Sequence, residues 1–366
     1  MAGRSIGLKF TGNPGKYNAI TDVPGVEVGY TTIIEGEGEL EVGKGPIRTG
    51  VTAVLPRGKQ NELKPIWAGT YALNGNGEMT GTHWINDGGY FLSPICITNT
   101  HAIGTAHQAT VRWMIEQYKE QYHNQHLWSM PVIAETYDGI LNDINGLHIK
   151  EEHVLNALNS AKSGEIAEGN VGGGTGMICY EFKGGTGTSS RKITMDGKEY
   201  HIGTLVQANY GKRDWLQIMG VPVGKHLKEE KLHNPDDKEM GSIIVVIGTD
   251  LPMLPHQLKR LAKRAAIGIS RTGSPGGNSS GDIFLAFSTA NEMGILHTND
   301  VTLNMDFIND EHFDMIYEQT VHAIDESVVN AMIAAESMTT LKPSGKVIEA
   351  INHEQLIDIL KQYNRL

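Results

Sequence analysis

With 366 residues and 39% hydrophobic content, the chain carries enough apolar material for a large core, and its length allows one big α/β unit or two domains. Its 31 Lys and Arg against 42 Asp and Glu leave a formal charge of -11, which repels phosphate backbones and anionic lipid and argues against nucleic acid as a partner. No run of about 18 apolar residues is present to span a membrane, and the opening MAGRSIGLKFTGNPGKYNAI lacks an export-type apolar stretch, so a cytoplasmic protein without membrane association is expected.

In chain order, the periodicity alternates between strand and helix. VTAVLP at 51–56 reads as a short buried strand, and a helical pattern follows over 104–121. MPVIAETY at 130–137 is a second strand, and 150–162 a helix stopped by Gly164. HIGTLVQANYG at 201–211 and GSIIVVIGTD at 241–250 are strands rich in β-branched residues, separated by a charged stretch, 224–241, that lacks apolar periodicity and reads as a solvated excursion. A helix over 254–269 takes Pro255 in its first turn; DIFLAFST at 282–289 is another buried strand. In the last helix, 312–338, Phe313, Ile316, Ile324, Val328 and Met332 form a stripe to lay on a sheet. There is no repeating βαβ unit and no dinucleotide fingerprint, so a layered α/β (α+β) sandwich fits best.

Glycine is abundant, at 44 residues, and clustered: NGNGEMTG at 74–81, NVGGGTG at 170–176, KGGTGTSSR at 183–191 and TGSPGGNSSGD at 272–282. GGGTG is followed by Met177, where a phosphate-binding loop needs glycine, so a tight turn between packed sheets is preferred. Gly184, Gly185 and Gly187 are expected to allow close layer packing, with Lys183 and Arg191 available to pair with carboxylates. Cys96 and Cys179 sit in apolar runs without CxxC spacing and read as buried thiols. The fifteen histidines include no HExxH, and His123 and His126 lie in a polar stretch, so no metal site is indicated.

GNSSG at 277–281 matches the GxSxG nucleophile pattern centred on Ser279. That elbow needs a strand before it and a helix after it, whereas here a helix and loop precede and a strand follows. A serine heading a buried strand after a flexible Gly/Pro/Asn loop instead suits an intramolecular acyl shift. The Ser279 hydroxyl attacks the carbonyl of Asn278, water resolves the ester, and the new N-terminal amine, of pKa roughly 7.7 to 8.0, serves as general base. The plain alternative is a Gly-Ser turn feeding a strand.

Nine stretches in order carry a resemblance: NAITDVPGVEVGY (18–30), RTGVTAVLPRG (48–58), ALNGNGEMTGTHWI (72–85), PICITNTHAIG (94–104), ETYDGILNDING (135–146), NVGGGTGMICYEFKGGTGTSSR (170–191), LVQANYG (205–211), TDLPMLPHQLKRLAKRAAIGISRTGS (249–274) and NSSGDIFLAFSTAN (278–291). In these the chain resembles the S58 family of peptidases, the L-aminopeptidase D-esterase/amidase and β-peptidyl aminopeptidase group, over nearly its whole length. The resemblance implies one peptidase domain, 1–366, folded as a four-layer αββα, Ntn-hydrolase-like sandwich. It implies self-cleavage between Asn278 and Ser279 into parts 1–278 and 279–366, with Ser279 as nucleophile and the adjacent Ser280 as its alternative.

Further roles follow from the same resemblance. Tyr137 and Asn209 become neutral oxyanion donors, where otherwise core packing and a turn cap would be preferred. Glu135, pointing the same way as Tyr137 on a strand, becomes the acceptor of the substrate's ammonium. Glu326 matches an acidic residue supporting the nucleophile, although Ile324 stands where a hydroxyl residue is expected and a solvated helical glutamate is an equal alternative. The implied activity removes N-terminal residues from short peptides, amides or esters without metal or organic cofactor, in a homo-oligomer. Rival readings are a self-processing acyltransferase like the ornithine acetyltransferases, which cut before threonine, and a catalytically inactive binding homologue that stays uncut.

Overall fold

A computed structural model describes residues 2–227, 232, 238–239, 241–294 and 300–366. The strands, in chain order, are β1 (Glu27–Glu35), β2 (Ile47–Leu55), β3 (Ile66–Ala72), β4 (Tyr90–Phe91), β5 (Ile95–Asn99), β6 (Val132–Thr136), β7 (Ile178–Cys179), β8 (Phe182–Lys183), β9 (Gly185–Met195), β10 (Lys198–Asn209), β11 (Ser242–Thr249), β12 (Gly281–Ser288), β13 (Met338–Leu341) and β14 (Ser344–Ile348). The helices are α1 (Ala2–Ser5), α2 (Thr82–Gly88), α3 (Ile103–Gln117), α4 (Lys119–Asn124), α5 (Glu151–Ser160), α6 (Pro255–Ala262), α7 (Arg264–Arg271), α8 (Phe313–Ile333) and α9 (His353–Gln362).

Two sheets form the centre, one ordered β1-β2-β5-β6 and the other β4-β3-β12-β11-β10-β9. Most neighbours are antiparallel; β5 with β6 and β11 with β12 run parallel. A parallel neighbour needs a crossover, supplied by α3 and α4 in the first case and by α6 and α7 in the second.

Val54, Ile95, Ile97 and Val132 of one sheet meet Leu205, Ile244, Val246 and Leu285 of the other in a buried inner layer. The opposite faces are covered by helices. Ala106, Trp113, Val154 and Leu158 of α3 and α5 lie over Val51, Ala53 and Ile133, while Leu258, Ile269, Ile324, Val328 and Met332 of α6, α7 and α8 lie over Val206, Val245 and Phe284. These are four layers, helix-sheet-sheet-helix. Leu205 and Val206, or Ile244 and Val245, point to opposite cores, which is why these strands are continuous apolar runs.

The strands expected at 51–56, 130–137, 201–211, 241–250 and 282–289 all form. Three helices differ in detail: 104–121 divides at Tyr118, 254–269 divides at Lys263, and the last ends at Ile333 because Met338 already opens β13. β9 was hidden by its composition. GTGTSSRKITM reads as turn chemistry, yet it is a largely buried strand whose glycines admit α8: a Cβ on Gly187 would stand 2.0 Å from the carbonyl oxygen of Ser327. GGGTG forms a buried 3-10 turn whose contacts reach both sheets. In the charged 224–241 excursion, 228–231, 233–237 and 240 lie outside the described residues.

Cys96 and Cys179 are buried and free, and His123 and His126 are exposed. Arg191 pairs with a carboxylate, that of Glu326 at 2.8 Å. Lys183 instead donates to the Gly184 carbonyl at 2.8 Å, and complete burial pushes its pKa down to about 7. Among the described residues no helix is long and apolar enough to cross a membrane.

Candidate active site

Strand register brings one end of the larger sheet to a point. Asn209, the last residue of β10, pairs with Ser242, the first of β11, and Ser242 pairs with Gly281, the first of β12. From the other sheet β6 ends nearby and delivers Glu135 and then Tyr137. Glu135 is only 4% exposed; its Oε1 accepts the N–H of Glu78 at 2.9 Å and its Oε2 accepts the hydroxyl of Thr100. Burial pushes its pKa up. A Cβ on Gly77 would lie 3.3 Å from both Glu135 Oε1 and Gly281 Cα, so only a bare glycine separates this carboxylate from the start of β12.

Asn209 is held at both ends of its amide. Its Oδ1 accepts the N–H of Ile178 at 2.8 Å, and its Nδ2 donates to the Tyr137 carbonyl at 3.1 Å, which leaves a second Nδ2 hydrogen. Tyr137 is 42% exposed, and its hydroxyl lies 2.3 Å from where a Cβ on Gly139 would stand. Desolvation, with Asp138 adding to it, pushes the phenol pKa up and keeps it a neutral donor. Tyr137, Ile178, Asn209, Tyr210, Glu239 and Gly241 line a cleft of about 180 Å³.

Three serines stand near this point, in different environments. Ser279 is half-buried after the exposed Asn278, and its carbonyl accepts Asn76 Nδ2 at 2.6 Å. Ser280 is buried, and its hydroxyl donates to Asp282 Oδ1 at 2.6 Å; burial pushes the Asp282 pKa up to about 6. Ser242 is the serine paired with Asn209. Its Oγ donates to the carbonyl oxygen of Gly241 at 2.7 Å and accepts the N–H of Gly281 at 3.2 Å. The same Gly281 N–H reaches the Gly241 carbonyl oxygen, also at 3.2 Å. A hydroxyl therefore lies against the carbonyl of the preceding residue, and that carbonyl is polarised by a backbone donor.

Sequence reasoning did not single out Ser242, although, like Ser279, it heads a buried strand after a stretch without periodicity. Glu326 is not brought to the cleft. It lies fully buried on α8, where Arg4 Nε at 2.7 Å, Arg191 at 2.8 Å and Asn18 Nδ2 at 2.7 Å take up its carboxylate. Arg191 pairs with Ile202 in the β9–β10 ladder, and Asn209 lies at the far end of that strand, about 23 Å away at a strand's rise per residue. The carboxylate that accepts a serine hydroxyl here is that of Asp282.

The sequence profile of peptidase family S58 matches residues 18–345. Two relatives, each a beta-peptidyl aminopeptidase BapA, are similar along nearly their whole length. That of Sphingosinicella microcystinivorans is 49% identical, with 99% of this chain and 92% of the relative covered, and that of Sphingosinicella xenopeptidilytica is 43% identical, with 98% and 90% covered. Among solved structures, the L-aminopeptidase D-Ala-esterase/amidase of Ochrobactrum anthropi, described as a prototype for the serine aminopeptidases and a variant of the Ntn-hydrolase fold, superposes with a TM-score of 0.95 at 55% identity, covering 100% of this chain and 99% of that one. A Burkholderia sp. beta-aminopeptidase superposes with a TM-score of 0.88 at 42% identity, covering 99% of each chain. With this coverage, and with the four-layer architecture described above, the chain belongs to peptidase family S58 and is a serine-type aminopeptidase built on the Ntn-hydrolase fold.

Proposed function

We propose that this protein cleaves itself to expose an N-terminal serine and then removes N-terminal residues from short peptides, amides or esters, and that the serine is Ser242 rather than Ser279. The observation that carries this assignment is the Ser242 hydroxyl 2.7 Å from the Gly241 carbonyl oxygen, beside the cleft that Tyr137 and Asn209 line. Among the described residues the Ser279 side chain has no such carbonyl contact, and its own carbonyl is held by Asn76. The parts after cutting are then 1–241 and 242–366 instead of 1–278 and 279–366, both within one peptidase domain.

In the mature enzyme the freed α-amine of Ser242 takes the proton of its own hydroxyl as Oγ attacks the substrate carbonyl. The spare Asn209 hydrogen and the Tyr137 hydroxyl are neutral donors for the resulting oxyanion. Glu135 receives the substrate's ammonium: a buried carboxylate is costly alone, and an incoming cation offsets that cost. The Ser280 hydroxyl, fixed by Asp282, steadies the strand start whose Gly281 N–H bonds Ser242. The chemistry draws on side chains, backbone and an amine, so chelators should leave activity unchanged. Homo-oligomeric assembly and a cytoplasmic location complete the reading, and light scattering and cell fractionation test them.

Denaturing mass analysis with N-terminal sequencing of freshly purified protein is the test of the cutting site. A fragment beginning Ser-Ile-Ile-Val supports Ser242. One beginning Ser-Ser-Gly-Asp returns the role to Ser279, and one beginning Ser-Gly-Asp gives it to Ser280. A chain that stays whole on incubation sinks the self-activated reading.

A further inference from the structure

The cleft contains a carboxylate that the hydrolytic reaction does not use. Glu239 Oε1 accepts the N–H of Gly241 at 2.9 Å and the N–H of Gly211 at 3.1 Å. Its Oε2 is shielded from solvent and has no hydrogen-bond partner among the described residues. Two glycines border the seat of this carboxylate. A Cβ on Gly277 would stand 2.1 Å from Glu239 Oε2, and a Cβ on Gly241 would stand 2.6 Å from Oε1 and 2.3 Å from the Asn209 carbonyl oxygen. One carboxylate oxygen thus ties the residue whose carbonyl faces Ser242 to the chain just beyond Asn209.

We infer that Glu239 is a positioning residue for self-cleavage, holding the Gly241–Ser242 peptide against the Ser242 hydroxyl; this rests on the assignment of Ser242 above. In the cleavage step Ser242 Oγ bonds to the Gly241 carbonyl carbon, the bond from that carbon to the Ser242 nitrogen breaks, and the hydroxyl proton ends on the nitrogen, leaving an ester and an amine. Water then cleaves the ester, which frees the Gly241 carboxylate and restores the hydroxyl. Glu239 touches the N–H of Gly241 and not its carbonyl. As an anion it cannot stabilise the negative oxygen of the tetrahedral intermediate, so its contribution is to orientation, where misplacement by about 1 Å can cost on the order of 100-fold in rate.

The experiment follows cutting of the full chain over time by denaturing mass analysis. Glu239→Ala should slow appearance of the fragment beginning at Ser242 by about 10- to 100-fold. Glu239→Gln, whose amide oxygen can accept the same two N–H groups, should recover most of the rate, and Gly277→Ala, whose methyl takes the place of Oε2, should be slow. In a Ser242→Ala chain, which cannot cut, Glu239→Ala should leave the melting midpoint unchanged. Cutting of Glu239→Ala at the parent rate, equal slowing by Gln, or a lowered midpoint in the Ser242→Ala background overturns the proposal while the fragment still begins at Ser242. A parent fragment beginning elsewhere, or cutting of Ser242→Ala itself, removes the Ser242 reading and this proposal with it.

Discussion

At the start of β11 and β12 two serine hydroxyls meet different acceptors, Ser242 a peptide carbonyl and Ser280 a carboxylate. Ser242→Ala should abolish both cutting and hydrolysis, read by mass analysis and by release of a chromogenic amine. Asn209→Ala should lower kcat on the order of 100-fold, as loss of one oxyanion donor does elsewhere, measured on whatever mature enzyme forms. The buried acids give a pH test. Asp138, bonded by Thr49 at 2.6 Å and Asn142 at 3.0 Å, has its pKa pushed up to about 7 from 3.8 by burial. Folding therefore favours its protonated form; that stabilisation is complete below pH 3.8 and is lost as pH rises through 7. Asp138→Asn should gain stability relative to the parent at pH 8 and lose that advantage by pH 4, checked by urea midpoints across this range. Glu135, Tyr137 and Asn209 were singled out only through the family resemblance, since periodicity placed them in or just past strands without assigning them a role. Ser242 was not singled out, because two strand-heading serines look alike until their neighbours are known.

Among the elements, β9 and α8 depend on each other most closely. α8 was legible from its apolar stripe, and the stripe residues Phe313, Ile316, Ile324, Val328 and Met332 are all buried. β9 was not legible, because its glycines and serines serve a helix backbone that passes almost in contact with it. Gly187→Ala would drive a methyl to 2.0 Å from the Ser327 carbonyl oxygen and 2.7 Å from the Ala331 nitrogen. Overpacking of that kind costs about 1–3 kcal/mol, so thermal unfolding should begin several degrees earlier even though no catalytic group is touched. Glu326 belongs to the same layer. Two arginines and an asparagine take up its carboxylate, which is what allows a charged residue to lie fully buried on this helix.

On the scale of the whole molecule, a cut between Gly241 and Ser242 falls at the start of a central strand. β11 stays paired with β10 on one side, and β12 with β3 on the other, so each fragment contributes strands to the same sheet. Fragments 1–241 and 242–366 should co-elute on native size exclusion and separate only in denaturant; separation under native conditions would contradict this interlocked sheet.

The sequence by itself determined the strands and helices with strong period, and, through resemblance, the αββα class and the aminopeptidase activity. The elements follow from local properties, set by alternation along the chain and by the chemistry of single side chains. Only the tertiary structure decided which serine lies against which carbonyl, that Asp282 and not Glu326 accepts a serine hydroxyl there, and that a glycine-rich run is a strand. Such facts depend on the register of β10, β11 and β12 and on the approach of a helix to a sheet, which are contacts between residues far apart in the chain.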